Sequence, residues 1–552
     1  MGRQWVCGSD YFPSLLTTKK LERWRKDELT QGICVLADLG AGVMDSAFVE
    51  SCTYVASART QTAPLLAINL RLSEEKGAWL ISSAWHQEND LVSVMARARI
   101  RQLPGQKILY SISPDIFSLL RSRNLFEPKV GTAREGMRTF NDFRFLRLRW
   151  EVKPGEIGMT KTWEPLAKGG EYARYYSDIH LLVKWNANGH ELAEVNRLVN
   201  GQTAQSRQAS RYYRRPGCTY SKRSAKGFSA RALPANCIIG TKGPAVLPES
   251  EVSPGYLVGW LNSRLIRSLI HLQANASEFN TGIIKRMPWK HDPSIASDLS
   301  SLGLNMVLTA RELALGDETD ANFIPYHPAT DLGSFFTETS SQIARAMAFL
   351  EQAQKMWDSS IDRMYGVDSE TLEQALVGDQ EETEPNDDLE DEELLESNLI
   401  SVCQNWLSFV FGLAFGRWDI RLALDAALVP RLMSPFSSLP TCPPAMLVGP
   451  NGLPATANNI VSEAWLRART NAITLPVEGS FEVPTTIVDS EYPICTAWDG
   501  ILVDDPGLSG HNPHSSDVVR CVREVLAVLW PNNHDTIEAE ACEILGVREL
   551  RD

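Results

Sequence analysis

Charge is spread along this chain so unevenly that no single, uniformly solvated body accounts for it. Residues 131–290 hold 25 Lys and Arg against 12 Asp and Glu, a surplus of +13, while the whole chain carries −14, which leaves −27 on the remainder. Eleven of those negative charges fall in the run DQEETEPNDDLEDEELLE at 379–396, which contains no Lys or Arg. Such a run repels itself and has little apolar area to bury, so it reads as a solvated linker. Net charge alone argues against a nucleic-acid partner. A basic block inside an acidic chain argues for one.

At 552 residues the chain exceeds what one hydrophobic core usually serves, so two to four compact units are expected. Hydrophobic residues make up 43% and charged residues 22%, a balance that excludes a wholly disordered or fibrous chain. No uninterrupted apolar stretch of about 18 residues is present, so no membrane span is expected. The opening MGRQWVCGSDYFPSLL lacks the apolar centre of a signal peptide. Ten cysteines stand singly without a CxxC pair, which fits neither a zinc ribbon nor a disulfide scaffold and suits a reducing cytosol. A cytoplasmic location follows as the expectation.

The stretch QSRQASRYYRRPGCTYSKRSAKGFSAR at 205–231 is the most specific signal. It holds eight basic residues and no acidic ones, with Tyr212, Tyr213, Tyr220 and Phe228 interleaved. Arg and Lys neutralise phosphates and release counterions, and aromatic faces stack on bases or sugars. Gly217 and Gly227 would let a phosphate approach the backbone closely.

Other patterns are weaker. Asp38, Gly40 and Gly42 resemble a nucleotide-binding glycine loop, but that loop needs a helix directly after it. Here 49–57 alternates as a strand does, so a strand pair is expected over 33–57, with a further strand at 63–70. Asp115, Glu127 and Lys129 loosely fit a Mg²⁺-dependent nuclease, except that IFSLLRSR between them has helical periodicity. FRFLRLRWEV (143–152) reads as a strand with one cationic face, 163–176 as a basic aromatic loop, and 179–185 and 237–239 as strands. Residues 256–273 read as one helix carrying the lone His271. Beyond 300 the chain turns helical, with one long amphipathic helix over 341–365. Further on, the steps Phe411-Gly412 and Phe415-Gly416 suit close helix packing, and 430–515 looks irregular. Ser516-Asp517 caps a helix that runs to Trp530 and is stopped by Pro531. His511 and His514 precede that cap without a third ligand and fit a capping loop.

FNDFRFLRLRWEV (140–152), WEPLAKGGEYARYY (163–176), SAKGFSARAL (224–233) and the segment 259–289 resemble adenine-specific DNA methyltransferases of the BREX phage-defence system, the PglX family. They are also similar to the Eco57I-like restriction-modification methylases. IDRMYGV, FGLAFGRWDI, DGILVDDPG and EACEILGVRELRD continue the resemblance in order along nearly the whole chain. It implies that 33–57 is the last strand pair of a Rossmann-like catalytic sheet. It also implies that 131–290 is a target-recognition domain, like the specificity domains of type I restriction systems. These enzymes flip an adenine and hold its amino group in an Asn-Pro-Pro-Tyr loop. That tetrapeptide is absent here, and the Pro443-Pro444 pair has neither Asn nor Asp before it nor an aromatic after it. A glycine-rich S-adenosylmethionine loop is absent too, so the chain is expected to begin downstream of both sites.

The resulting expectation is an α+β (mixed α/β) chain. Residues 1–130 would form the edge of a methyltransferase sheet and 131–300 a basic target-recognition domain. A helical region would follow at 301–375, an acidic linker at 376–398, and a helical, loop-rich domain at 399–552. The implied function is DNA recognition for a site-specific adenine-N6 methyltransferase. S-adenosyl-L-methionine would be bound only by the assembled enzyme, and no catalytic, cofactor-binding or metal residue is assigned to this chain. Partners would be double-stranded DNA and a separate catalytic half or other defence-system subunits, with no membrane. Alternatives are an inactive relic, a standalone DNA-binding protein and the nuclease. The residues expected to touch DNA are Arg207, Arg211, Tyr212, Arg214, Arg215, Lys222, Arg223 and Lys226, with Lys168, Tyr172 and Arg174 behind them.

Overall fold

A computed structural model describes residues 5–11, 21–40, 42–43, 51–369 with short breaks at 58, 72, 87–88, 90, 104–105, 111, 202–203, 250, 275–277 and 329–330, then 391–456, 460–462, 466–467, 486–487, 491–496, 501–507 and 513–551. The first sheet contains β1 (Trp5–Tyr11), β2 (Ile33–Gly40), β3 (Ser51–Ser57), β4 (Leu65–Asn69) and β5 (Val92–Met95). Its order is β1-β3-β2-β4-β5; β2 and β4 run parallel and every other neighbour is antiparallel. The expected strand pair over 33–57 is present as β2 and β3. Ile33, Leu36, Cys52, Leu65 and Met95 form its core. Helices α1 (Lys76–Trp85) and α2 (Pro114–Leu120) follow, α2 over the segment whose periodicity predicts a helix.

Two four-stranded sheets make the middle of the molecule. One takes β6 (Gly131–Arg134), β10 (Gly217–Tyr220), β11 (Ala230–Leu233) and β13 (Ala245–Pro248), in the antiparallel order β11-β10-β13-β6. The other takes β7 (Leu146–Leu148), β8 (Trp163–Ala167), β9 (Leu181–Lys184) and β12 (Ile238–Ile239), in the order β12-β8-β9-β7. The chain crosses repeatedly between them, so each is built from both halves of 131–248. The expected strand over 143–152 is only three residues long here. A helical turn, Asp142–Phe145, precedes β7, and a 3₁₀ turn, Arg149–Glu151, follows it. Alternation therefore fails to put its arginines on one face.

The helix expected over 256–273 is two helices, α3 (Pro254–Asn262) and α4 (Arg264–His271). Ser263 between them is extended at φ −61°, ψ 144°. No proline or glycine marks the break; Arg264 N donates instead to the Asp358 carboxylate at 2.7 Å. Helix α5 (Pro293–Ala314) crosses α3 at a glycine contact. A Cβ on Gly303 would lie 2.2 Å from the Gly255 carbonyl oxygen, and one on Gly255 2.9 Å from that of Ser300. Helix α6 (Leu332–Tyr365) starts nine residues before the expected position, because Asp331 caps it by accepting from Ser334 N. Its C-terminal Trp357, Ile361 and Tyr365 join a core that runs from Leu103 to Tyr365, across the expected boundaries at 130 and 300.

The N-terminal end of α6 enters a second core through Leu332 and Phe336. There it meets α7 (Asp391–Ala414), α8 (Val518–Leu529) and α9 (His534–Leu545). Of the expected linker at 376–398, residues 376–390 lie outside the described residues, and α7 begins inside the acidic run. The Phe411-Gly412 step does serve close packing, since a Cβ on Gly412 would sit 2.3 Å from the Trp418 ring. Asp517 caps α8 as expected, accepting from Arg520 N.

The two cores are joined through a buried polar junction. Arg149, 7% exposed, donates to the carbonyls of Pro440 and Thr441, and Arg311 donates to that of Met433 at 2.6 Å. Tyr176 donates to Asp320 at 2.9 Å, and Ala321 N to Asp178. Burial pushes the Asp178 carboxyl up to about 6. Burial and then the charge of Asp178 push Asp320 up to about 7. The folded state therefore holds protons here that the unfolded chain releases near pH 4. The junction's contribution is greatest at acid pH and falls as pH rises toward about 7. Asp320→Asn should flatten the decline in thermal midpoint between pH 5 and 8. Gly303→Ala should destabilise the chain by about 1–3 kcal/mol through overpacking. Gly282→Ala, where a Cβ meets only a guanidinium at 3.7 Å, should be neutral or slightly stabilising by chemical denaturation.

Candidate nucleic-acid interface

A groove of about 940 Å³ opens where the two middle sheets meet. Its walls are the turn at 137–143, the loop at 168–170 after β8, residues 221–223 after β10, and the loop at 240–242 after β12. Backbones pack back to back behind it. A Cβ on Gly169, at φ +88°, would lie 2.7 Å from the Lys242 carbonyl oxygen, and one on Gly243 2.3 Å from Gly169 N. Arg231, 2% exposed, braces the wall by donating to the Glu171 carbonyl at 2.7 Å and to Ser221 Oγ at 3.0 Å. Ser221 in turn donates to the Gly170 carbonyl at 2.6 Å. Burial lowers the Arg231 guanidinium to about 10, still charged at neutral pH.

The groove is cationic. Arg138, Lys168, Lys222, Arg223 and Lys242 line it, against the carboxylates Asp142 and Glu278. Lys168 is bonded to Asp142, which also accepts from Thr139 Oγ1. Burial raises the Asp142 carboxyl, but the hydrogen bonds from Lys168 and Thr139 outweigh it and hold the group below the usual range. Lys222 lies 2.9 Å from Glu135 and 3.6 Å from Glu278, and Arg223, 78% exposed, lies 3.2 Å from Glu278. Among the described residues Arg138 and Lys242 are exposed with no carboxylate within 4 Å. The Glu135–Lys222 pair separates this groove from a second hollow lined by Arg134, Ala209, Arg211, Tyr212 and Lys285.

The expected contact residues divide into outward and inward sets. Arg207 and Lys226 are exposed and, among the described residues, without a carboxylate partner. Arg211 is exposed, stacked 4.8 Å from the Tyr212 ring centre, with Arg134 over the same ring at 4.9 Å. Arg223 and Lys222 stand at the groove. Arg214 does not: its guanidinium forms two 2.7 Å bonds to Glu164, itself 2% exposed. Arg215 donates to the Pro248 carbonyl at 3.0 Å and sits 3.7 Å from Glu249. Arg174 and Tyr172 are half-buried and bonded to each other at 2.7 Å.

The interleaved aromatics are mostly core. Tyr213, Tyr220 and Phe228 are 6%, 0% and 1% exposed, so only Tyr212 could stack on a base. Gly217 lies within β10, where a Cβ would meet the Val246 carbonyl oxygen at 2.6 Å, and Gly227 is buried; neither offers a phosphate site. Sequence reasoning missed Arg138, Phe140, Phe143 and Lys242. Phe143 opens the segment 143–152 that alternation predicts as a strand, while Arg138 and Phe140 lie just before it in the turn that faces outward.

The other patterns carry no site. Asp115 lies exposed on the first turn of α2, while Glu127 is held by Arg134 at 2.8 Å and Lys285 at 3.7 Å. The described residues contain no group of three or more His, Cys, Asp or Glu that could hold a metal. Asp38 accepts from Tyr110 at 2.7 Å, and among the described residues the next element after β2 is the antiparallel β3. His271 accepts from Phe228 N at 3.1 Å, and burial lowers it to about 4, a neutral structural acceptor. His514 accepts from Ser516 N in the capping loop, and His511 lies outside the described residues.

No protein-family model matches the chain. Curated relatives do: it is 23% identical over 337 residues to an adenine-specific methyltransferase PglX of Lacticaseibacillus casei, and 26% identical over 220 residues to an adenine-specific methyltransferase BrxX of Escherichia coli O9:H4. The resemblance to PglX-type methyltransferases holds. These alignments take in 59% and 37% of this chain but only 27% and 17% of the relatives, so the chain matches about a quarter or less of either. Among solved structures it is similar to the Type IIL restriction-modification enzyme MmeI in complex with DNA, at a TM-score of 0.41 and 12% identity over 69% of this chain and 49% of that one. The type IIG restriction endonuclease BpuSI follows at a TM-score of 0.24 and 12% identity, covering 66% and 47%. None of the described helices is long and apolar enough to cross a membrane.

The split between inward and outward cations is testable. Arg214→Ala leaves the buried Glu164 unpaired and should cost about 3 kcal/mol of stability. Arg207→Ala and Lys226→Ala should each change it by less than about 0.5 kcal/mol. Urea unfolding of the three variants measures the difference.

Proposed function

We propose that this chain supplies the DNA-recognition part of a site-specific adenine-N6 methyltransferase of a phage-defence or restriction-modification system. The observation that carries the reading is the groove between the middle sheets, whose lining is cationic and whose exposed Arg138 and Lys242 have no carboxylate partner among the described residues. Phosphate contacts of this kind set affinity and register, while Arg or Asn side chains in a groove read base edges. The named relatives, both adenine-specific methyltransferases, support the reaction class. Methyl transfer needs an adenine pocket and an S-adenosylmethionine site. The Asn-Pro-Pro-Tyr tetrapeptide is absent from this sequence, and among the described residues β2 and its glycines lead to the antiparallel β3 and not to a helix. We therefore assign those sites to a catalytic half acting with it. The first sheet, whose outer strands are β1 and β5, offers a pairing edge for such a half.

Binding of duplex DNA by the purified chain tests the proposal. Affinity should fall steeply between 50 and 200 mM salt, and each phosphate-contacting cation removed should lower the log–log slope by about 0.9. Replacing Arg138, Arg207, Lys226 and Lys242 together with alanine should weaken binding and flatten that slope by about 3–4. Undetectable binding at low salt, or an unaltered slope in the fourfold variant, contradicts the proposal.

A further inference from the structure

The turn at the mouth of the groove presents two phenylalanines to solvent. Phe143 is 95% exposed and Phe140 43% exposed. Exposure on this scale is unusual for a ring on a well-tied turn, because burying a side chain of that size is strongly favoured. The turn itself is tied down. Asp142 is held by Thr139 and Lys168, and Asn141 accepts from Arg144 N at 3.1 Å. The Phe143 carbonyl accepts from Arg147 at 2.8 Å, and Phe145, 0% exposed, anchors the turn from behind. Phe140 is held at φ 59°, a left-handed backbone that a bulky residue rarely adopts and that concentrates at functional sites. Among the described residues neither ring has an aromatic or cation–π contact, and the groove they border is lined by Arg138, Lys168 and Lys242, with Asp142 bonded to Lys168.

We infer that Phe143, supported by Phe140, is an aromatic wedge that inserts at a base step of bound duplex DNA. Apolar side chains that enter the stack unstack one step and kink the helix, and the deformation is offset by the extra surface then brought into contact. Arg138 and Lys242 would hold phosphates beside the opened step, and flexible pyrimidine–purine steps would yield most readily. A cationic rim selects a nucleic acid over an apolar protein partner for the two rings. The inference rests on the DNA-recognition reading above and adds to it how the duplex is deformed.

The test compares the full chain with Phe143→Ala and Phe143→Trp on one 30-base-pair duplex, and on the same duplex carrying a single mismatch. The wild type should bind the mismatched duplex more tightly, because part of the unstacking cost is already met. Phe143→Ala should lose on the order of 10-fold in affinity and the mismatch preference, with an unchanged salt slope and melting temperature. Phe143→Trp should retain both. Equal affinities for the wild type and Phe143→Ala overturn the wedge while leaving DNA recognition intact. A loss that comes with a flatter salt slope also overturns it, since phosphate contacts would then be responsible. If the wild type binds neither duplex, the DNA-recognition reading fails and the wedge with it.

Discussion

A compact body that carries a surplus of cations must either pair them internally or turn them outward, and this constraint organises the middle of the molecule. Transfer of an unpaired charge out of water is costly, so the buried guanidiniums of Arg149 and Arg231 are bonded to backbone and hydroxyl oxygens. Arg214 is closed onto Glu164 by two hydrogen bonds. Arg138, Arg207, Lys226 and Lys242, which have no carboxylate partner among the described residues, are exposed. The surplus read from the sequence is thus divided: part of it holds the sheets together, and part of it faces solvent, Arg138 and Lys242 in the groove.

The division also explains why the groove lies where it does. It occupies the seam where loops of the two middle sheets pass one another, and the close approach of Gly169 to Lys242 sets those loops back to back. Arg231 braces one wall from within, so the groove is a fixed feature of the fold and not a gap between loose segments. The same segment of chain therefore supplies both framework and surface. Substitutions in it separate into those that weaken folding and those that weaken binding.

Much of the fold was legible in the sequence. The strand pair over 33–57, the helical periodicity of 116–123 and the Asp517 cap all follow from local chemistry, which tertiary contacts did not override. The failures share one cause. At Ser263 a helix ends because Asp358, 95 residues away in sequence, takes the Arg264 N–H; no local breaker announces it. At 143–152 the alternating pattern predicts a strand, but a capped turn over its first residues exposes Phe143. The binding surface was half legible for a related reason. Composition identifies a basic block, but only the pairing of each side chain decides its role. Arg214 and Arg223 look alike in sequence, yet one faces Glu164 in the interior and the other is 78% exposed on the groove rim. Tyr220 and Phe228, which alternate with cations in the sequence, form core because β10 and the segment before β11 turn them inward.

Hydrogen–deuterium exchange of the full chain with and without duplex DNA tests the central claim most directly. The account predicts new protection at 137–143, 168–170, 221–223 and 240–242, the four segments that wall the groove, with little change at 214–215. Protection confined to 214–215 or to the helices beyond 300, with the groove segments unaltered, would contradict it.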